Sequence, residues 1–178
     1  MIFTETRLAG AFIIEPEMAS DERGYFARVF SADEFTLHGL KSEYVQWSIS
    51  FNHEQGTLRG LHYQISPHQE AKIVRCTMGS VFDVMIDMRP RSPTHMTWRG
   101  TELTAQNRKM VYVPEGFAHG FQTLEHNTEV CYQISEFYHP ESSRGIRWND
   151  PALGISWPLE ISVMSLQDQS LEMSDGGK

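Results

Sequence analysis

The chain has no apolar run approaching the roughly 20 residues that a membrane-spanning helix needs. Its first ten residues, Met1–Gly10, carry no charged-then-apolar leader pattern. Together these absences lead us to expect a cytoplasmic protein. Cysteine is scarce: only Cys76 and Cys131 occur, in alternating apolar stretches without C-x-x-C spacing. That argues against a disulfide framework or a cysteine-based zinc site and predicts two buried thiols. Basic charge is in deficit. Fifteen Lys+Arg face 23 Asp+Glu, a formal net charge of -8 with His neutral, so no general affinity for nucleic acid or an anionic membrane is expected. Taken alone, the deficit also argues against a small anionic ligand. Helix signals are few, and internal repeats, low-complexity stretches and linkers are missing.

What is there is a globular profile. The 178 residues are 40% hydrophobic, 11% aromatic and 21% charged. That is enough to bury a core and too short for two large enzymatic domains, so one domain over residues 1–178 is expected. Short apolar stretches broken by Gly and Pro predict an all-β sandwich or barrel. Ala71–Met78 and Val81–Met88 are predicted to pair as a hairpin around Gly79-Ser80, with Phe82, Val84, Ile86 and Met88 on one face. Further strands are predicted at Leu8–Ile14, Tyr25–Phe30, Tyr44–Phe51, Thr57–Tyr63, Thr97–Leu103, Met110–Val113, Gly120–Leu124 and Thr128–Ile134. About ten strands in so short a chain suggest a two-sheet barrel. Ser31-Ala-Asp-Glu34 has capping-box spacing ahead of Phe35 and Leu37, with Gly39 as a stop, and predicts a helix of about two turns. Ser162–Met173 is a second helix candidate, and Ser174–Lys178 is expected to fray.

Eight histidines raise the question of a metal. Two of them sit in Gly-rich, strand-bounded segments where backbone can approach a ligand closely: His62 after Gly56-Thr-Leu-Arg-Gly-Leu61, and His119 after Pro114-Glu-Gly-Phe-Ala118. These segments resemble the paired motifs of the cupin superfamily. Where metal-binding cupins place a second histidine two residues on, this chain has Gln64, a poor ligand for transition metals. No bound metal or other cofactor is therefore expected.

The likeness sharpens when the segments are taken in order. Asp21-Glu-Arg-Gly-Tyr-Phe26, Thr57-Leu-Arg-Gly-Leu-His-Tyr-Gln64, Lys72-Ile-Val-Arg-Cys76, Val81–Arg89 and Ser92-Pro-Thr94 are followed by Val113–Phe121, Trp148-Asn-Asp150 and Gly154-Ile-Ser-Trp-Pro158. As an ordered set covering nearly the whole chain, they resemble the dTDP-4-dehydrorhamnose 3,5-epimerase family. The resemblance implies a cupin-type double-stranded β-helix, or jelly-roll barrel, with a few short helices. It also implies a homodimer, no required metal, and epimerisation of a nucleotide-diphosphate-linked 4-keto-6-deoxyhexose in deoxysugar biosynthesis, rhamnose-like O-antigen precursors included.

Such chemistry removes a proton beside the keto group to form an enolate, then returns one from the opposite face. By motif position, His62 matches the family's base; an imidazole with an unperturbed pKa of about 6.5 suits that role. Asp168, in Leu166-Gln-Asp168, matches the carboxylate that holds this histidine, Tyr132 the acid on the other face, and Lys72 the cation near the keto oxygen. Arg59 and Arg23 match residues at the diphosphate and sugar, the segment around Arg23 reaching the site across the dimer interface, and His119 lines the same site. Val130, Tyr132 and Ile134 alternate onto one face of their strand. Strict alternation puts Arg59 and His62 on opposite faces, so a bulge or break is predicted at Gly60.

The chain departs from the family at the nucleotide end. Gln46-Trp47-Ser48 replaces the usual Gln-Asp-Asn, one extra residue lies between Ser50 and Gly56, Arg28 stands where glutamate is usual, and Ala19 where phenylalanine is usual. Gln46 and Arg28 remain candidate binding residues. The proton-transfer set carries over from the resemblance and the thymidine does not, leaving the nucleobase and the choice of carbon 3, carbon 5 or both open. Two other readings stand beside this one: a metal-dependent cupin isomerase or oxygenase using His62, His119, Gln64 and Glu70, and a non-catalytic sugar-binding cupin. Arg59, Lys72, Arg23 and Arg28 could still form a local cationic pocket inside an acidic protein.

Overall fold

A computed structural model of the chain describes residues 1–174, so apart from Ser174 the expected frayed end lies outside the described residues. The chain opens with strands β1 (Ile2–Glu5), β2 (Phe12–Glu15), β3 (Met18–Asp21) and β4 (Gly24–Ala27), then helix α1 (Ala32–Leu37). The central strands follow: β5 (Gln46–Asn52), β6 (Leu58–Gln64), β7 (Lys72–Met78), β8 (Ser80–Asp87), β9 (Trp98–Thr104), β10 (Met110–Val113), β11 (Phe117–Thr123) and β12 (Thr128–Ile134). A short β13 (Ser143–Gly145) and the single-turn helix α2 (Leu166–Gln169) complete it.

Two antiparallel sheets face each other, one of six strands in the order β1-β2-β10-β7-β12-β5 and one of five in the order β13-β6-β11-β8-β9; β3 and β4 form a separate hairpin. Period-two alternation explains the layering. Val74, Cys76, Val111, Val113 and Val130 from the first sheet meet Val81, Met85, Leu103, Phe117 and Phe121 from the second in the central core. Both faces of β8 are buried: Phe82, Val84, Ile86 and Met88 share its outer face, as expected, beneath Trp98, Leu153 and Trp157. On the outside of the six-stranded sheet, α1 seats Phe35 against Ile73, Met110 and Tyr112. That helix leaves the β5 end bare, with Trp47 70% and Ile49 66% exposed.

The all-β expectation holds, with four local corrections. β7 and β8 do not pair as a hairpin; they lie in different sheets. Gly79, at φ 73°, turns the chain from one sheet to the other in close contact with Thr128, and a side chain there would collide with that residue. Among the described residues the Ser31 side chain makes no capping hydrogen bond. The Glu34 carboxylate instead accepts from the Met1 amino group at 2.9 Å and from Arg28 at 3.5 Å. The strand predicted from Leu8 starts only at Phe12, because Ala11 N–H closes a turn on Leu8 O at 2.9 Å with Gly10 at φ 84°. Cys76 is buried, its thiol pushed up to about 11 by burial, whereas Cys131 is half-buried; both are free.

Candidate active site

A cavity of about 620 Å³ opens between the two sheets and exposes residues from both. From the six-stranded sheet come Ser48 and Ser50 on β5, Lys72 on β7 and Tyr132 on β12. From the five-stranded sheet come Arg59 and His62 on β6 and His119 on β11, while α2 adds Gln167 and Asp168. Val130, Tyr132 and Ile134 do share the inward face, the first in the core and the other two at the cavity.

His62 Nε2 lies 2.7 Å from Asp168 Oδ1. The carboxylate is held by its setting: its residue is in the first turn of α2, whose cap Ser165 accepts from Asp168 N–H at 3.0 Å, and Asp168 Oδ2 accepts from Gly60 N–H at 3.2 Å. Burial pushes the Asp168 carboxyl up, but the hydrogen bond and charge of His62 and the Gly60 N–H together hold it below the usual carboxylate value. An Nε2 proton directed at Asp168 leaves Nδ1 of His62 as the basic nitrogen. The His62 side chain is 42% exposed and that of Asp168 6%, so the ring is accessible while its anchor is not.

The geometric conflict between Arg59 and His62 is resolved at Gly60. His119 opposes His62 and Phe121 opposes Arg59, so Gly120 alone faces both Gly60 and Leu61, and the extra residue is a bulge in β6. Gly60 has φ 112°, and a Cβ there would come within 2.7 Å of Gly120 Cα. The Arg59 guanidinium is steered by a neutral group, its Nε donating to Asn52 Oδ1 at 2.7 Å. Among the described residues it has no carboxylate within ion-pair distance. Its positive charge is thus uncompensated at the cavity, as recognition of an anionic group requires.

Lys72 meets the burial its expected role requires. Its side chain is 11% exposed, and Nζ lies 2.8 Å from Glu70 Oε1. Tyr132 Oη lies 3.2 Å from Ser50 Oγ. Burial raises the phenol well above its ordinary pKa, with Ser50 and Arg59 pulling the other way, so it stays protonated at neutral pH. His119 forms a second imidazole–carboxylate pair, Nε2 to Asp83 Oδ2 at 2.7 Å, with both groups buried.

Gln46 lines an adjoining cavity of about 390 Å³ that shares Ser48, His62, Lys72, Ile134 and Gln167 with the first. Arg23 and Arg28 are not brought to either cavity within one chain. Arg23 sits at the β3–β4 turn, paired with Asp21 at 2.5 Å, and Arg28 pairs with Glu34. Gln64 does not join a ligand set with the two histidines. Its amide donates to His68 O, Phe137 O and Glu70 Oε2 and accepts from His139 N–H. Glu70 and Asp83, which hold Lys72 and His119, were not assigned those partnerships from sequence. Asp83 carried a usable signal: it lies on the inward face of β8 between Val81 and Met85, where a lone carboxylate needs a partner.

The chain matches the family model described as dTDP-4-dehydrorhamnose 3,5-epimerase over residues 5–175. It is 46% identical over 159 residues to a dTDP-4-dehydrorhamnose 3,5-epimerase of Methanothermobacter thermautotrophicus, covering 89% of this chain and 85% of that one. It superposes on the crystal structure of dTDP-4-dehydrorhamnose 3,5-epimerase from Elizabethkingia anophelis with TM-score 0.94 at 39% identity, covering 98% and 96% of the two chains. A third similarity, TM-score 0.90 at 38% identity over 97% and 92%, is to dTDP-6-deoxy-D-glucose-3,5-epimerase of Legionella pneumophila in complex with dTDP-4-keto-L-rhamnose. The chain belongs to the dTDP-4-dehydrorhamnose 3,5-epimerase family, and its two-sheet barrel is the cupin-type β fold of that family.

Proposed function

We propose that this chain, acting as one domain, epimerises a thymidine-diphosphate-linked 4-keto-6-deoxyhexose at carbons 3 and 5, using His62 as base and Tyr132 as acid. The observation that carries the proposal is that His62 and Tyr132 line one cavity from opposite sheets, with Asp168 behind the histidine at 2.7 Å. Inversion needs this two-sidedness: a proton leaves one face of the sugar carbon and another arrives on the other. In the proposed cycle, Nδ1 of His62 takes the proton, the electron pair moves onto the keto oxygen as an enolate, and Asp168 stabilises the imidazolium. Tyr132 then delivers its proton to carbon from the opposite face and recovers one from solvent, while Nδ1 of His62 gives the abstracted proton to solvent, restoring both groups.

Lys72 is assigned to the enolate oxygen. A unit charge about 4 Å away at an effective dielectric near 20 contributes roughly 4 kcal/mol, about a thousandfold in rate. Glu70 offsets part of this. Arg59 is assigned to the diphosphate, Gln46 to the nucleotide-sugar, and His119 to shaping the pocket rather than moving protons. The local cationic patch thus rests on Arg59 and Lys72, with Arg23 and Arg28 supplied by a partner subunit. The exposed row Trp47, Ile49 and Phe51 and the apolar hairpin residues Met18, Tyr25 and Phe26 support such a homodimer. No described helix is long and apolar enough to cross a membrane, and two free cysteines fit the reducing cytoplasm in which we place the protein.

The test is incubation in deuterium oxide with thymidine- and cytidine-linked 4-keto-6-deoxyhexoses, reading label at each carbon by NMR. Label at both carbons of the thymidine compound, with a higher kcat/KM than for the cytidine compound, is expected. Label at one carbon only would reassign the enzyme as a single-site epimerase. Absence of label would leave the sugar-binding reading standing.

A further inference from the structure

We propose that His68, His139 and Glu136 form a binding site for one divalent transition-metal ion, separate from the epimerase centre. Their ligand atoms lie within 4.8 Å of one another. His68 belongs to the turn between β6 and β7, and Glu136 and His139 to the connection between β12 and β13. These two loops are distant in sequence and pinned together by one buried side chain. Gln64 Nε2 donates to His68 O at 3.0 Å and to Phe137 O at 3.0 Å, and its Oε1 accepts from His139 N–H at 2.6 Å. The backbone beneath the cluster is thus fixed before any ion arrives, which lowers the ordering cost of binding.

The donor set is specific in its chemistry. Two imidazoles and a carboxylate suit zinc and its neighbours, and are too nitrogen-rich for magnesium or calcium. Glu141 Oε1 lies 3.2 Å from His139 Nδ1, and Glu136 Oε1 lies 3.9 Å from His139 Nε2. A carboxylate on the far ring nitrogen orients a ligating histidine. One rearrangement is required. The two rings stack at 3.4 Å between centroids and 9° between planes, and parallel rings cannot both aim in-plane lone pairs at one ion. Among the described residues no hydrogen bond holds the His68 ring, so turning it sacrifices only the stack. The cluster adjoins the cavity wall at Tyr138 and Glu70, so an ion there would clip together two loops at the cavity's edge.

The experiment is isothermal titration of untagged, chelator-stripped protein with zinc chloride, paired with cobalt(II) absorption as a report on imidazole coordination. One equivalent of zinc per chain is expected, with a raised Tm. His68→Ala and His139→Ala should each weaken binding at least about tenfold, the loss seen even for partners outside the coordination sphere. His62→Gln should leave it unchanged. The proposal is overturned if no zinc binds, if the His68→Ala/His139→Ala double variant, shown folded by its circular dichroism, binds as well as the parent, or if His62→Gln removes the site. None of these outcomes bears on the deuterium test of the epimerase.

Discussion

Two histidine–carboxylate pairs stand side by side in this barrel. His62 and His119 are register partners on neighbouring strands, and each lies 2.7 Å from its own aspartate. Their surroundings differ. The His62 side chain is 42% exposed at the cavity, and Asp168 has its second oxygen on Gly60 N–H. The His119 side chain is 4% exposed and that of Asp83 0%, and Asp83 Oδ1 has no hydrogen-bond partner among the described residues. The same chemical pair is thus built once with an accessible imidazole whose aspartate has both oxygens hydrogen-bonded, and once as a buried pair in the wall. A short imidazole–carboxylate contact does not by itself mark a proton-transfer group; access to the reacting atom decides.

The largest expected effect separates the two pairs by activity. His62→Ala should lower solvent exchange into substrate by about 100- to 10,000-fold, the span of general-base catalysis, with little change in urea unfolding. If Lys72 acts on the developing enolate as proposed, Lys72→Met should cost up to about a thousandfold in kcat with a smaller change in KM. Equal losses in kcat for Lys72→Met and for a neutral change at Arg59 would blur the distinction between oxyanion and diphosphate. His119→Ala reverses the pattern of His62. It should destabilise the fold by about 3–5 kcal/mol, since it strands a buried carboxylate, while solvent exchange persists in the folded fraction. A His119→Ala protein as stable as the parent and devoid of exchange would exchange the roles of the two pairs.

The smallest effect concerns pH. The Asp168 carboxyl is held below its ordinary value in the folded protein. Its stabilisation is therefore present above the unfolded value of about 3.9 and is lost as pH falls through the lower folded value. Asp168→Asn should remove about 1–3 kcal/mol near pH 7 and flatten the acid limb of stability, measured by urea unfolding between pH 6 and pH 3.

The same contrast shows what was legible in the sequence. Strands central to the sheets, such as β7, β8 and β12, announce themselves by apolar alternation. The short β1, β3 and β13 do not, because an edge or hairpin strand such as Ser143–Gly145 buries too little for a pattern. Gly79 looks like a hairpin turn and is a corner between sheets, since a glycine reports permissive backbone and not which strand comes next to which. The Ser31 capping box did not form, and Glu34 pairs with the Met1 amino group instead. At the site, the bulge at Gly60 followed from a conflict between alternation and the need for Arg59 and His62 in one place. Asp168 was different. Nothing local distinguishes a carboxylate in a four-residue helix as buried, and only the family resemblance pointed to it. The Ser50 contact to Tyr132 and the Glu70 contact to Lys72 depend on cross-strand geometry that no single segment encodes.

In the proposed cycle the two sheets supply opposite faces of one proton transfer. Its most direct measurement is the ratio of deuterium exchange to net inversion in Tyr132→Phe, taken in deuterium oxide beside the wild type. Tyr132→Phe is expected still to exchange substrate hydrogen through His62 while inversion falls much further, so the ratio rises well above that of the wild type. A Tyr132→Phe protein whose inversion equals that of the wild type, or whose exchange and inversion fall together, would contradict it.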